Sequence, residues 1–315
     1  MSYSYAGYYQ IRDYGINALY PTSIDDADDS SNEVVATERE NIMRIAAAVT
    51  KAMNRRMGLD QYADYMPFLG QRNFDARAYR GGRPDHISED GLEIELDAPL
   101  SELTICTLGD DTSITVGTDV LGVPFNRTPS FSLALFNAPG VWTQWSTDWR
   151  QSIEITGVWC ERRQYDTEGW IDSDDAVADA AGLTATITEI TVSAADGADT
   201  NNYAPRFDVG QLIRMESEYC IVTAVDYSTK KLTVIRGARG TTAATHVITT
   251  QIDSFQVEPD IMRACSIATA FEYGRKGKFE AMTVQAGGQS INVLPDLWPA
   301  LAMELMPLPL RIGSG

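Results

Sequence analysis

DVGQLIRMESEYCIVTAVDYSTKKLTVIRGARGTTAATH, residues 208–246, carries the densest structural signal in the chain. GQLIRMESEYCIVTAV and KKLTVIRGARG read as strands, with one turn at Glu216 to Glu218 and another at Tyr227 to Lys230. Upstream, TATITEITVS lets Ala185, Ile187, Ile190 and Val192 alternate with polar residues around a break. Gly237 and Gly240 of GARG are hairpin turn positions; no helix follows them that would bind a phosphate at its N-terminus. Residues 183–255 are therefore expected to form a small closed β module, short enough to lean on neighbours.

An acidic, Ala-rich link, Asp172 to Gly182, precedes the module. Before it, Asp85 to Trp159 is strand-like: LEIEL (92–96), LTICTL (103–108), SITVG (113–117), FSLALF (131–136) and SIEITGVW (152–159), separated by Gly and Pro turns. Trp142, Trp145, Trp149 and Trp159 read as core and edge of this sheet, with an aromatic sugar platform as the alternative. Thr37 and Glu40 form a capping box for a helix whose apolar stripe is Ile42, Ile45, Val49, Met53 and Met57, stopped at Gly58. Its expected partner is Pro259 to Tyr273, where Ile261, Ala264, Cys265, Ala268 and Phe271 share a face. Two helices packed across everything between them give an α+β chain: a small helical core, a β domain, and an inserted barrel- or sandwich-like module. The expected division is an extended arm and acidic loop (1–32), a connector core (33–182 plus 256–315) and the inserted module (183–255).

The arm is rich in tyrosine, and Tyr3, Tyr5, Tyr8, Tyr9 and Tyr14 are its contact candidates, either on another chain or over its own domain. The run IDDADDSSNE that follows lacks the glycine and closing glutamate of a calcium loop and reads as a solvated loop.

Across 315 residues, 25 Lys and Arg stand against 44 Asp and Glu, a net charge of −19. That balance opposes a grip on nucleic-acid phosphates. No apolar run approaches the roughly 18 residues of a membrane span, and no basic-then-apolar leader opens the sequence. Cys106, Cys160, Cys220 and Cys265 are widely spaced in apolar stretches and read as free buried thiols. The two histidines, His86 and His246, form no HExxH pattern, and no Walker A sequence occurs. No catalytic, cofactor or metal residues are assigned, and the expectation is a protein without enzymatic activity.

The 208–246 segment resembles one inserted in many phage structural proteins, with a pattern G-x-x-I-R-x-x-x-E followed by L-T-V-x-R-G-x-x-G-T-x-A-x-x-H. Gly210, Ile213, Arg214, Glu218, Leu232, Val234, Arg236, Gly237, Gly240, Thr241, Ala243 and His246 fall in register with it. With SIEITGVW, PDIMRACSIATAFEYGR and the closing LPDLWPALAMELMPLPLR, the chain is similar to head-tail connector (adaptor) proteins of long-tailed bacteriophages. The resemblance implies a homo-oligomeric ring, usually of twelve copies, at the neck of the virion, assembled in the bacterial cytoplasm. Its implied partners are the portal protein and the next neck protein, a stopper or tail terminator, and DNA passes through unbound. It also implies that the C-terminal segment docks on the portal through Leu308, Leu310 and Arg311, the alternative being a packed C-terminus. Arg55, Arg56, Arg72, Arg77, Arg80 and Arg83 are candidates for intersubunit contact against the shared negative charge, or for a solvated basic patch. A tail-tube or baseplate component, and a carbohydrate-binding or carbohydrate-active virion protein, are the competing readings.

Overall fold

The computed structural model describes residues 3–12, 33–59, 64–77, 79–80, 83–84, 86–274, 282–286, 289–293 and 300–306. Helices and antiparallel sheets both occur, as expected of an α+β chain. Two compact units emerge: Met1–Gly58 with Ile171–Arg236 and Ala243–Gly315, and Leu59–Trp170 with Gly237–Thr242. This grouping differs from the expected one. The helices belong with the module and not with the 68–159 sheet, because their apolar faces and the N-terminal segment find partners there.

Among the described residues of the first unit, α1 (Tyr8–Ile11), α2 (Glu33–Met57), α3 (Pro259–Gly274) and α4 (Ala300–Leu305) are the helices. The expected α2–α3 pair forms, with Ile42, Met53, Ile261, Ala264 and Ala268 almost wholly buried. Thr50 Oγ1 lies 3.6 Å from Cys265 Sγ within that contact. α2 stops at Gly58, whose φ of +74° suits the left-handed ending. Its start is a correction: the helix already runs at Glu33, so Thr37 and Glu40 lie inside it and do not cap it. The intervening Glu33–Ala36 contains neither Gly nor Pro to break the turn.

The unit's sheet has the order β10-β13-β12-β11-β14-β9, built from β9 (Trp170–Ala176), β10 (Glu189–Thr191), β11 (Leu212–Met215), β12 (Glu218–Asp226), β13 (Lys231–Ile235) and β14 (Gln251–Phe255). Both expected turns are present, with Glu216 at φ +53° and Lys230 at φ +56°. The first part of the stretch assigned to a link, Asp172 to Ala176, is instead strand, the greater part of β9, and Val177 to Gly182 stays irregular. The acidic residues of the stretch are used for bonding: Asp175 accepts the amides of Ser193 and Ala194, and Asp179 that of Thr191. Of TATITEITVS only Glu189–Thr191 is strand, and Ile187 is exposed in a turn.

The second unit's sheet runs β1-β8-β4-β7-β6, with β5 also on β4. Its strands are β1 (Phe68–Phe74), β4 (Glu93–Thr107), β5 (Ser113–Ile114), β6 (Val120–Val123), β7 (Ser130–Leu135) and β8 (Ile153–Trp159). A small hairpin, β2 (Tyr79–Arg80) with β3 (Arg83–Pro84), stands apart from it. LEIEL and LTICTL are two halves of the one long strand β4, while FLGQRNF, which lacks clear alternation, is the strand the sequence reading missed. Trp142 and Trp159 are fully buried, their indoles donating to Leu92 O (3.2 Å) and Gly70 O (2.9 Å), whereas Trp145 is 45% exposed. The Arg239 guanidinium in this unit donates to Asp64 (2.8 Å), Met66 O (2.6 Å) and Pro67 O (3.2 Å). A Cβ on Gly240 would sit 1.8 Å from Leu69 O, so this turn glycine is fixed by close approach as well as by its φ of +85°.

A last hairpin, β15 (Met282–Ala286) with β16 (Gln289–Val293), precedes α4. Trp159→Ala should cost about 3–5 kcal/mol in urea denaturation, the range for emptying a large aromatic site. Trp145→Ala should cost under about 1 kcal/mol; equal losses would contradict the placement of the core.

Candidate functional site

The residues that carry the sequence motif converge on a buried polar cluster. Glu218 opens β12 with its side chain fully buried, and Arg236, just past β13, is only 4% exposed. Arg236 Nε and Nη2 donate to Glu218 Oε1 (2.7 Å) and Oε2 (2.8 Å), the paired geometry that a planar guanidinium suits. Its remaining donors reach the carbonyls of Thr184, Ile187 and Ala244. Glu218 Oε2 also accepts from Ala244 N (2.9 Å) and His246 Nε2 (2.9 Å), and Cys220 Sγ donates to Oε1. His246 Nδ1 lies 3.0 Å from exposed Glu216. The Glu218 hydrogen bonds hold the Arg236 pKa above its ordinary value.

The side chains of Glu218, Arg236 and His246 are buried and fasten three loops to one carboxylate, while Glu216 alone of the cluster is exposed. Arg214 pairs separately with Asp253 (2.8 Å), joining β11 to β14. Gly210 packs where a Cβ would meet Met43 Cε at 2.7 Å. Gly237 takes a φ of +59° at the turn.

A second cluster holds the N-terminal segment, and it corrects the extended arm. Tyr5, Tyr8 and Tyr9 are buried in their own unit, because chain polar groups there need them. Tyr5 N donates to Thr50 Oγ1 and its hydroxyl to Asn54 on α2. Arg39 lies over the Tyr8 ring and Arg12 over Tyr9, which meets Tyr227 edge-on. Asp208 accepts from Tyr9 N (2.9 Å), and at Gly7 any Cβ would fall 2.3 Å from its Oδ2. Tyr3 is half-buried beside Tyr5. Tyr14 and the acidic run lie outside the described residues.

Burial pushes the Asp208 carboxyl up to about 6, against the lowering effect of the Tyr9 and Val209 amides and of Arg39 and Arg12. Asp208, Glu216 and Asp64 were not singled out from sequence. Asp208 at the head of the motif was the one readable signal, an acid placed directly before an apolar strand.

The arginine candidates are divided between the two units. Arg55 and Arg56 end α2 in the first unit, while Arg72, Arg77, Arg80 and Arg83 belong to the second. Arg72 is engaged within its unit, on Asp97 (3.0 Å) and over Trp159, and Arg77 lies over Trp149. Of Arg80 and Arg83 only the backbone is described, and Leu308, Leu310 and Arg311 lie outside the described residues. All four cysteines are free and buried, and burial pushes the Cys106 thiol up to about 12. Among the described residues no group of His, Cys, Asp and Glu is placed to hold a metal ion, and no helix is long and apolar enough to cross a membrane.

A groove of about 440 Å³ lies between α2 and β12, lined by Arg39, Met43 and Ala47 on the helix and Ile221 to Asp226 on the strand. In comparisons with known proteins, no family model, curated protein or solved structure gave a significant match to the chain.

Glu218→Gln should cost about 3–5 kcal/mol in chemical denaturation by leaving Arg236 buried without its counter-charge, while Glu216→Gln should cost under about 1 kcal/mol. The native Asp208 carboxyl holds its proton more tightly than the ordinary carboxyl of the unfolded chain. Its contribution is therefore fully present below the ordinary value of 3.8 and is lost as pH rises from there through about 6. Asp208→Asn should flatten that part of the stability profile, a difference of up to about 3 kcal/mol; an unchanged slope in pH-dependent melts would assign it elsewhere.

Proposed function

We propose that this chain is a structural subunit of a bacteriophage virion, a head-tail adaptor that forms a ring beneath the portal and extends the DNA channel toward the tail. The observation that carries the reading is the motif from Gly210 to His246. Its in-register Arg214, Glu218, Arg236 and His246 are the residues that tie the module together. A motif that encodes a scaffold and no reaction fits a protein whose work is assembly.

The module is barrel-like in this reading. Just beyond β9, Ala178 N donates to Thr191 O in β10, so the two ends of the strand order approach each other. The net charge of −19 per chain supports the channel role, since a wall that repels phosphates lets DNA slide. Partners on this reading are other copies of the chain, the portal and the next neck protein. The ring acts by multivalent attachment without a chemical step.

Mass photometry of the purified protein, alone and with the portal protein encoded beside it, tests the proposal. A discrete complex holding a full ring of copies is expected with the portal. Monomers in both samples would reject the adaptor role and bring forward the tail-tube or baseplate reading.

A further inference from the structure

Strand β12 outruns its neighbour. β11 pairs with it only from Glu218 to Ile221, and the amide and carbonyl of Val222 are taken by Gln211 O and Gly210 N. From Ala224 to Asp226 only β13 lies alongside, and among the described residues no strand covers the other side. That side borders the groove against α2, whose apolar lining includes Met43, Ala47, Val209, Ile221 and Val225. An apolar channel with an uncovered strand edge suits an extended peptide: main-chain bonds hold it, and alternate side chains fill the groove.

The sequence Pro307-Leu308-Pro309-Leu310-Arg311 has the matching pattern. In an extended chain, successive residues direct their N–H and C=O groups to opposite sides. Leu308 and Leu310 therefore share one bonding edge, while Pro307 and Pro309, without N–H, share the other. Such a segment adds to one strand and recruits no further one. Five extended residues span about 16 Å, against about 20 Å for Ile221 to Asp226. Arg311 brings a positive charge to a groove that ends at Asp226, whose carboxylate accepts from Ser228 and Thr229.

The tail of the same copy brings Leu308 no further than the Ala47 end of the groove. Met303 Sδ lies 2.7 Å from Arg56 Nη1, and Arg56 sits about 13 Å along α2 from Ala47 and about 20 Å from Met43 at 1.5 Å per residue. Met303 to Leu308 covers about 12 Å.

We propose that the groove between α2 and β12 of one copy receives Pro307–Arg311 of a neighbouring copy, added as a strand beside Ala224–Asp226. The inference rests on the ring reading and sends the C-terminal segment to a neighbour in place of the portal. Each copy gives one tail and offers one groove, a head-to-tail contact that repeats into a closed ring.

The test uses full-length chains. A dye-labelled peptide of residues 306–315 is titrated into the L308D/L310D chain, whose own tail is disabled and whose groove is intact. Saturable binding is expected, weakened at least tenfold when Ala224→Arg is added; Ala224 is exposed, so this arginine enters the groove without disturbing the core. In mass photometry, L308D/L310D mixed with Ala224→Arg chains should give pairs and nothing larger, since only one good tail and one good groove are present. No peptide binding, or equal binding to both chains, overturns the proposal, as does binding to a portal ring alone. Peptide binding with no pairs in the mixture assigns the groove to the tail of the same copy and overturns the neighbour. Rings formed by L308D/L310D keep the adaptor reading and overturn the groove contact, whereas peptide binding and pairs without wild-type rings keep the contact and overturn the ring.

Discussion

A single buried carboxylate, Glu218, organises the β module. Its two oxygens accept from a guanidinium, a backbone amide, an imidazole and a thiol, and those donors come from both hairpins and from the loop that ends at His246. Taking both charges of the Glu218–Arg236 pair out of water is costly unless the remaining donors and acceptors are satisfied. Here the surrounding carbonyls meet that requirement. The loop after β13 is thereby held in one shape, and Gly237, Arg239 and Gly240 take their left-handed φ values within or beside it.

The helices and the N-terminal segment are organised by a different kind of contact. α2 and α3 pack through small residues and a sulfur, with Ala46, Ala264, Cys265 and Ala268 allowing close approach. The first described residues then cover that seam, Ser4 near Cys265 and Tyr5 on Thr50. A tyrosine-rich opening that looks built for another chain is thus used as the lid of its own core. Aromatic rings carry this role well because they bury large area with few rotatable bonds.

How legible this was in sequence depended on the range of the signal. Turn chemistry and alternation are local, so the β11–β12 and β12–β13 hairpins, the strands around LEIEL and SIEITGVW, and the end of α2 at Gly58 could be read directly. Strand β9 could not, because its Asp-rich composition resembles a solvated link and its pairing with β14 lies far along the chain. The division into units failed for a related reason: an apolar helix stripe declares that it needs a partner without naming which sheet supplies it. At the candidate site, the motif residues were visible, but their shared purpose was not. Glu216 and Asp208 acquire meaning only from who faces them, and the groove exists only because β11 is shorter than β12.

The seat of the N-terminal segment has a consequence for how the chain is made. Tyr9 is held by Asp208, and Ser4 lies against Cys265, contacts separated by 199 and 261 positions. Tyr9 leaves the ribosome well before the carboxylate that receives it, which follows about 10–40 seconds later at about 5–20 residues per second. Until then the tyrosines have no home, and closure of such long loops is slow even once the partner exists. Birth order and folding order therefore run in opposite directions in the first unit: Ser4 to Tyr9 are made long before their partners and settle only after them.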